Sequence, residues 1–446
     1  MPLTIKQINA RSGALVVIDQ VFTEGAYTNI AVNQYLRKYL LNDQERRLMT
    51  ELVYGTVKAK GTLDWYLQKC ISRPLKQVEH AVLNILRLSL YQLRYMDRIP
   101  ASAACNEAVK LARLVSHEGS AKFVNGVLRG YLRKAEELQL PQEDEAEYLG
   151  LLYFHPRWLV KKWLSLYGRE ATEKLLAFNN TAAPVCLRAN TLAISRAALM
   201  DELISSGGEA VVSRLSEDGI VCQKLPALGS LFNKLQDGFY VQDESSMVVA
   251  DVVAPEPGQL VIDLCSAPGG KATHLAQRMA NRGRIMACDV HDHKLELIAA
   301  NARRLRLDII EPVLQDGTVL RPELIGSADR VLVDAPCSGL GVLRRRAEGR
   351  WSKNQKELGQ FPAVQRQLLH NGSRYVKANG RLVYSTCTIE LAENHYVIEE
   401  FLAKHKEWER EPIRHPLTGE MVEELQLLPH VDGCDGFFIC ALRRKG

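Results

Sequence analysis

Absences set the first bounds on this chain. No apolar run approaches the roughly eighteen residues needed to cross a bilayer, and the N-terminal MPLTIKQINAR has neither the apolar core nor the small-residue cleavage site of a signal peptide. Ten cysteines are spread over 446 residues with no C-x-x-C pair. That usage argues against a disulfide framework and against a zinc site, so no metal is expected, and a reducing cytoplasm fits best. The chain contains no G-x-G-x-x-G and no G-x-x-x-x-G-K-[ST], which removes the usual dinucleotide fingerprint and the NTP phosphate cradle. It has no internal repeat and no low-complexity tract.

What remains is an ordinary globular composition, 46% hydrophobic and 24% charged, in a chain long enough for two or three domains. The net charge of +5 is unevenly spread. Residues 1–140 carry 20 Lys and Arg against 12 Asp and Glu, and the remainder carries 37 against 40. A basic segment joined to a nearly neutral one points to a polyanionic partner; a solvated helical surface is the alternative.

Residues 1–140 read as all-helical. Apolar residues recur at helical spacing at Ala14, Val17, Ile18 and Val21, and again at Leu48, Leu52 and Val53. Asp43 is a candidate N-cap, and Pro74 is expected to open a long helix that ends near Asp97–Pro100. The polar, acidic LPQEDEAE reads as a linker. Residues 148–236 then mix helical and strand-like segments as a small α+β module, with Ser195 as a cap. Arg188 and Asn190 there are candidates for RNA contact or for purely structural roles. From 237 to 446 strands and helices alternate, which implies a parallel, doubly wound, Rossmann-like α/β domain.

Two strands of that third domain end in a cysteine. RVLVDAPCSGLG runs through Asp334 to Pro336, which stops the strand, and delivers Cys337; GRLVYSTCT delivers Cys387. Open α/β sheets place their chemistry at such strand ends, although free cysteines are also common as small buried hydrophobes. The loop Cys265-Ser266-Ala267-Pro268-Gly269-Gly270-Lys271 lets a ligand approach the backbone closely. Carboxylates close successive strands at Asp263, Asp289, Asp316 and Asp334. Asp289 suits a ribose diol and Asp316 an adenine amino group. A glycine loop with diol and adenine partners but no phosphate site describes S-adenosylmethionine. Between the P-C pair and the next helix, LRRRAEGRWSKN (343–354) has the basic and aromatic character of a substrate-facing RNA loop.

The segments RIPASAACNEAVKLAR and AKFVNGVLR resemble the NusB family of helical RNA-binding domains, which makes the basic excess an expected RNA surface. DLCSAPGGK, VDAPCSG and YSTCT resemble the RNA cytosine-C5 methyltransferase family, with one departure at Ser266, where alanine is usual. Together these segments make nearly the whole chain similar to the bacterial 16S rRNA cytosine-C5 methyltransferases that carry a NusB-like domain. The resemblance implies S-adenosylmethionine held by residues 265–271, Asp289, Asp316 and Asp334. It also implies 16S rRNA as partner and cytosine 967 as target, with no obligate protein partner; because the target base must be unstacked to reach a buried thiol, free or incompletely assembled rRNA is the expected form. Cys387 is then the nucleophile, Cys337 assists release, and Asp334 supports the base. DNA cytosine methyltransferases attack from a P-C motif instead, so Cys337 as nucleophile stays open. Two other classes compete: a non-catalytic antitermination factor, and an amino-group methyltransferase. The latter commonly carries Asn/Asp-Pro-Pro-aromatic where this chain has Asp334-Ala-Pro-Cys337.

Overall fold

Asn9 opens the first helix, α1 (Ala10–Thr23), by accepting from the backbone N–H groups of Arg11 and Ser12 at 3.0 and 2.9 Å, while its own N–H donates to Ser12 Oγ. This capping box satisfies donors that a helix leaves unpaired. The computed structural model describes residues 8–226 and 235–445, in two units. The first runs to Ala182 and takes in Leu343–Gln355. It is built from α1, α2 (Thr28–Lys38), α3 (Asp43–Cys70), α4 (His80–Tyr95), α5 (Ala101–Val115), α6 (Glu118–Lys134), α7 (Glu145–Leu152) and α8 (Arg157–Asn180). α4 is its axis: Val82, Ile85, Leu86, Leu88 and Leu90 are buried together with Leu15, Ile18, Leu52, Val53, Val124 and Leu128 of α1, α3 and α6.

Two boundaries differ from the sequence expectation. Asn42 rather than Asp43 caps α3, accepting from Glu45 N at 2.9 Å. Pro74 leads only into a 3₁₀ turn at Leu75–Gln77, and α4 starts at His80 after extended residues. Gly168, at φ +75°, breaks α8 in the middle, as the Tyr167–Gly168 sequence leads one to expect.

The segment 343–355 corrects a larger expectation. Arg350 is fully buried and donates to Asn180 Oδ1 and Asn179 O, both at 2.6 Å, and to Phe154 O at 3.1 Å. Trp351 Nε1 donates to Val57 O at 2.7 Å, Glu348 accepts from Thr28 Oγ1 at 2.6 Å, and Arg344 lies buried over the Phe178 ring. These residues are structural pins of the helical unit, not an RNA-facing loop. Arg346 alone of the four arginines is well exposed. Arg350→Met leaves three acceptors without their donor, so an unfolding free energy lower by about 3 kcal/mol is expected. Urea denaturation measures it. A weaker salt dependence of RNA binding with unchanged stability would instead return Arg350 to the RNA surface.

The second unit holds Ala183–Val342 and the chain from Lys356 on. Its smaller sheet has β1 (Val185–Ala189), β2 (Glu209–Val212), β3 (Gly219–Lys224) and β4 (Phe239–Val241), antiparallel in the order β2-β3-β1-β4, with α9 (Arg196–Ser205) alongside. Ser195 Oγ caps α9 through Ala198 N at 3.2 Å. Arg188 and Asn190 do not face RNA: they are 1% and 2% exposed. Asn190 Nδ2 donates to Asp237 O and Leu305 O at 2.8 and 3.1 Å.

The larger sheet follows α10 (Glu244–Val253). Its parallel strands are β5 (Leu260–Asp263), β6 (Arg284–Asp289), β7 (Ile310–Leu314), β8 (Ala328–Asp334) and β9 (Val376–Thr386). Helices α11 (Gly270–Arg278), α12 (Asp292–Arg304), α13 (Phe361–Tyr375) and α14 (His395–Lys404) alternate with them. β10 (Trp408–Glu411), β11 (Ile413–Arg414), β12 (Met421–Val422), β13 (Leu425–Leu427) and β14 (Phe437–Arg444) complete the chain. The order β10-β14-β9-β8-β5-β6-β7 makes the sheet mixed, because β14 runs antiparallel to β9. Strand order reverses between β5 and β8, so a crevice opens at their carboxyl ends, the usual place for a ligand in an open α/β sheet. Among the described residues no helix is long and apolar enough to cross a membrane.

Candidate active site

β8 and β9 are neighbours in parallel register, with Asp334 opposite Ser385. Their loops therefore leave the sheet side by side and bring Cys337 Sγ to 3.4 Å from Cys387 Sγ. All ten cysteines are free thiols, and these two are half-buried. The hydrogen bond to Cys387, then burial, pushes the Cys337 thiol well above its ordinary range. The two thiols share one hydrogen bond, in which either sulfur can be the donor.

The cysteine loops are fixed by groups that sequence reasoning did not single out. Glu393 Oε2 accepts from Ser338 N at 2.8 Å and from Gln365 Nε2 at 3.0 Å, and Gln365 also donates to Pro336 O at 3.0 Å. Ser338 Oγ pairs with Thr388 Oγ1 at 2.8 Å. Asn394 accepts from Thr386 Oγ1 at 2.6 Å and donates to Thr388 O at 2.9 Å. The backbone closes the same cage: Gly341 N donates to Cys387 O, and Gly436 N to Gly341 O, at 3.1 and 2.8 Å. A Cβ on Gly341 would stand 2.1 Å from Gly436 O. Gly341→Ala must therefore displace the two loops, and turnover is expected to drop about 10²-fold; steady-state kinetics measures it.

Asp334 is held on both oxygens. Lys271 Nζ donates to Oδ2 at 2.6 Å and Ser385 Oγ to Oδ1 at 2.8 Å. Burial opposes charge on Lys271, but the Asp334 carboxylate outweighs it and raises the lysine above its usual range. This ion pair joins the glycine loop to the cysteine pair.

The loop Cys265–Lys271 turns sharply from β5 into α11. Gly269 takes φ +97°, a left-handed conformation that favours glycine, and a Cβ on Gly270 would come within 3.1 Å of the Tyr240 ring. A cavity of about 190 Å³ lies against the loop, lined among others by Tyr240, Gln242, Cys265, Pro268, Lys271 and Asp334. Below it Asp263 is fully buried, and among the described residues neither carboxylate oxygen has a hydrogen-bond partner. Burial pushes this acid up to about 7, against a weaker opposing influence of Ser266. Burial also pushes the Cys265 thiol well above its usual range, so Cys265 is no thiolate. Asp289, at the end of β6, accepts from His291 N at 3.0 Å with Lys294 at 3.6 Å; exposed Asp316, past β7, accepts from Thr318 N at 2.9 Å. Both sit at or just past the strand ends that the sequence indicated, each tied to its own loop, and neither lines the cavity. Elsewhere His395, Glu399 and Glu424 converge with metal-ligand spacing, but the Arg410 guanidinium bonds both glutamates and supplies the positive charge.

Comparison with known proteins decides the family. A family model described as 16S rRNA methyltransferase RsmB/F matches residues 250–443, the NusB family model matches 8–133, and an RsmF/B-like ferredoxin-like domain matches 155–227. The probable ribosomal RNA small subunit methyltransferase B of Bacillus subtilis (strain 168) is 39% identical over 99% of this chain and 100% of its own length. The chain belongs to the ribosomal RNA small subunit methyltransferase B family. Another relative, ribosomal RNA small subunit methyltransferase B of Erwinia tasmaniensis, is 30% identical over 99% of this chain and 100% of its own. The solved structure of PH0851 superposes with a TM-score of 0.86 at 26% identity, covering 99% of this chain and 100% of that one. Members of the RsmB/F family are rRNA methyltransferases that use S-adenosylmethionine. The residues at the β5 end fit that methyl donor. The left-handed turn at Gly269 and the bare Gly270, where a Cβ would crowd the Tyr240 ring, let a ligand approach the backbone beside the cavity.

Proposed function

We propose that this enzyme methylates C5 of a cytosine in 16S rRNA, cytosine 967 by family resemblance, through a covalent bond from Cys387 to C6. The observation that carries the proposal is the 3.4 Å approach of two thiols at adjacent strand ends, beside a loop suited to S-adenosylmethionine. C5 of cytosine is too poor a nucleophile to be alkylated directly. Addition of the Cys387 thiolate to C6 forms an S–C6 bond and moves the C5–C6 π pair onto C5, with charge spread to N3 and O2. The Lys271 ammonium, held in place by the Asp334 carboxylate, is proposed to stabilise that charge. Bound S-adenosylmethionine supplies an electrophilic methyl group; residues 265–271, Asp289, Asp316 and Asp334 would hold it. After C5 is methylated, loss of its proton restores the double bond as S–C6 breaks, and Cys337 assists that elimination with Asp334 supporting the base.

The division 1–140, 148–236 and 237–446 is proposed as RNA-binding NusB-like domain, small α+β module and catalytic domain. An rRNA substrate makes the cytoplasm the expected compartment. The target base must be unstacked to reach the thiols, which favours free or incompletely assembled 16S rRNA over finished subunits. Bisulfite sequencing after incubation of purified enzyme and S-adenosylmethionine with naked 16S rRNA or assembled 30S subunits tests both points. One protected cytosine in naked RNA is the expected result. No protected cytosine sinks the C5 assignment, and equal modification of 30S subunits sinks the substrate preference.

A further inference from the structure

One side chain grips the cofactor cavity from outside. Arg188, on β1 of the smaller sheet, does not line the cavity and is 1% exposed. Its Nη1 donates to Gly270 O at 2.6 Å and to Gln242 Oε1, and its Nη2 donates to Thr273 Oγ1 at 2.9 Å. Its guanidinium also lies 5.2 Å from the centre of the Tyr240 ring. Tyr240, Gln242 and Gly270 are all cavity-lining residues. A planar guanidinium presents its donors in a fixed fork, so it fixes these groups relative to one another as a flexible ammonium would not. Burial pushes Arg188 down only to about 9, so it stays charged at neutral pH and its hydrogen bonds are charge-assisted. A second clamp acts on the next turn of α11: Asp218 Oδ2, at the start of β3, accepts from His274 Nε2 at 3.0 Å and from Gln277 Nε2 at 3.2 Å. Thr273 Oγ1 itself donates to Gly270 O at 3.0 Å.

We propose that Arg188 is a positioning residue for S-adenosylmethionine, acting through the Gly270 carbonyl, the Thr273 hydroxyl and Gln242 to hold the glycine turn in its ligand-accepting shape. The smaller sheet is thereby a structural part of the methyl-donor site. The proposal rests on the reading that residues 265–271 and Asp289 hold that ligand.

Calorimetric titration of the full-length protein with S-adenosylmethionine tests it, together with KM and kcat for both substrates. Arg188→Met is expected to weaken S-adenosylmethionine binding about ten- to hundredfold, the scale of lost charge-assisted hydrogen bonds. KM for the methyl donor rises while kcat at saturation and affinity for 16S rRNA stay within about threefold. Arg188→Lys falls between wild type and Arg188→Met. Thr273→Val removes a single arm of the network without creating a buried charge, and a few-fold weakening is expected; it decides the matter should Arg188→Met not fold. Unchanged S-adenosylmethionine affinity in folded Arg188→Met, or in Thr273→Val, overturns the proposal. Asp289→Ala separates the two levels: if it too binds S-adenosylmethionine normally, the assignment of the cofactor site has failed, and the positioning role fails with it.

Discussion

Cys387→Ala is expected to abolish methyl transfer to 16S rRNA, a loss of about 10⁴-fold or more, and to leave no covalent protein–RNA species. The expectation follows from how the thiol pair shares its proton. Cys337 and Cys387 stand 3.4 Å apart, and the hydrogen bond to Cys387 is the largest influence holding Cys337 protonated. With Cys337 pushed up, Cys387 is the sulfur proposed to carry the charge when the pair gives up one proton. Lys271 gains part of its raised pKa from Cys387 after the larger contribution of Asp334, which places a cation where such a charge would be favoured. A thiolate is the reactive form of cysteine, and Cys387 is accordingly the proposed nucleophile. The measurement is transfer of a labelled methyl group, alongside denaturing gels of enzyme mixed with 16S rRNA. Appreciable turnover by Cys387→Ala, or an adduct still formed without Cys387, would move the attack to Cys337 as in the DNA enzymes. Cys387→Ser is a stricter version, since it keeps size and polarity while removing the acidic thiol.

The parts of this site that were readable from sequence are those set by local pattern. An apolar strand that ends in Asp-Ala-Pro-Cys or Ser-Thr-Cys announces both strand and loop within a few residues, and β8 and β9 stop close to where Pro336 and Cys387 imply. The glycine turn was readable for the same reason. The 3.4 Å approach of the sulfurs was not: it depends on β8 and β9 being neighbours and on Asp334 pairing with Ser385, which no short window encodes. Glu393, Asn394 and Gln365 were missed because charged and amide residues near helix starts ordinarily read as solvated surface. Arg350 and Trp351 failed in the opposite direction, and of the two roles left open for Arg188 the structural one holds. Their residue types suit RNA, and only the three-dimensional partners, Gly270 and Thr273 for one, Asn179, Asn180 and Val57 for the others, turn them into buried pins. A cation whose terminal donors are engaged inside the protein looks the same in sequence as one waiting for phosphate.

Cys337→Ala is expected to give the converse phenotype: a stable protein–RNA adduct, with turnover reduced by about 10²- to 10⁴-fold, the range for losing a general acid–base group. Before attack, the hydrogen bond to Cys387, then burial, then the charge interaction with Cys387 hold the Cys337 thiol above its ordinary range. Once the Cys387 sulfur is bonded to C6 it is a neutral thioether, and the charge interaction disappears while burial remains. The Cys337 thiol then becomes more acidic at the point in the cycle where a base is needed for the C5 proton. The two thiols are thus coupled so that bond formation by one prepares the other to complete elimination. Removing Cys337 leaves addition and methylation possible, because Cys387, Lys271 and Asp334 remain, but it stalls the step that frees Cys387. The adduct should migrate as protein plus RNA on a denaturing gel, contain methylated pyrimidine, and vanish in the double variant Cys337→Ala/Cys387→Ala. A Cys337→Ala enzyme that turns over normally and traps nothing would show that elimination uses another base, and the proton coupling between the two sulfurs would then have no catalytic consequence.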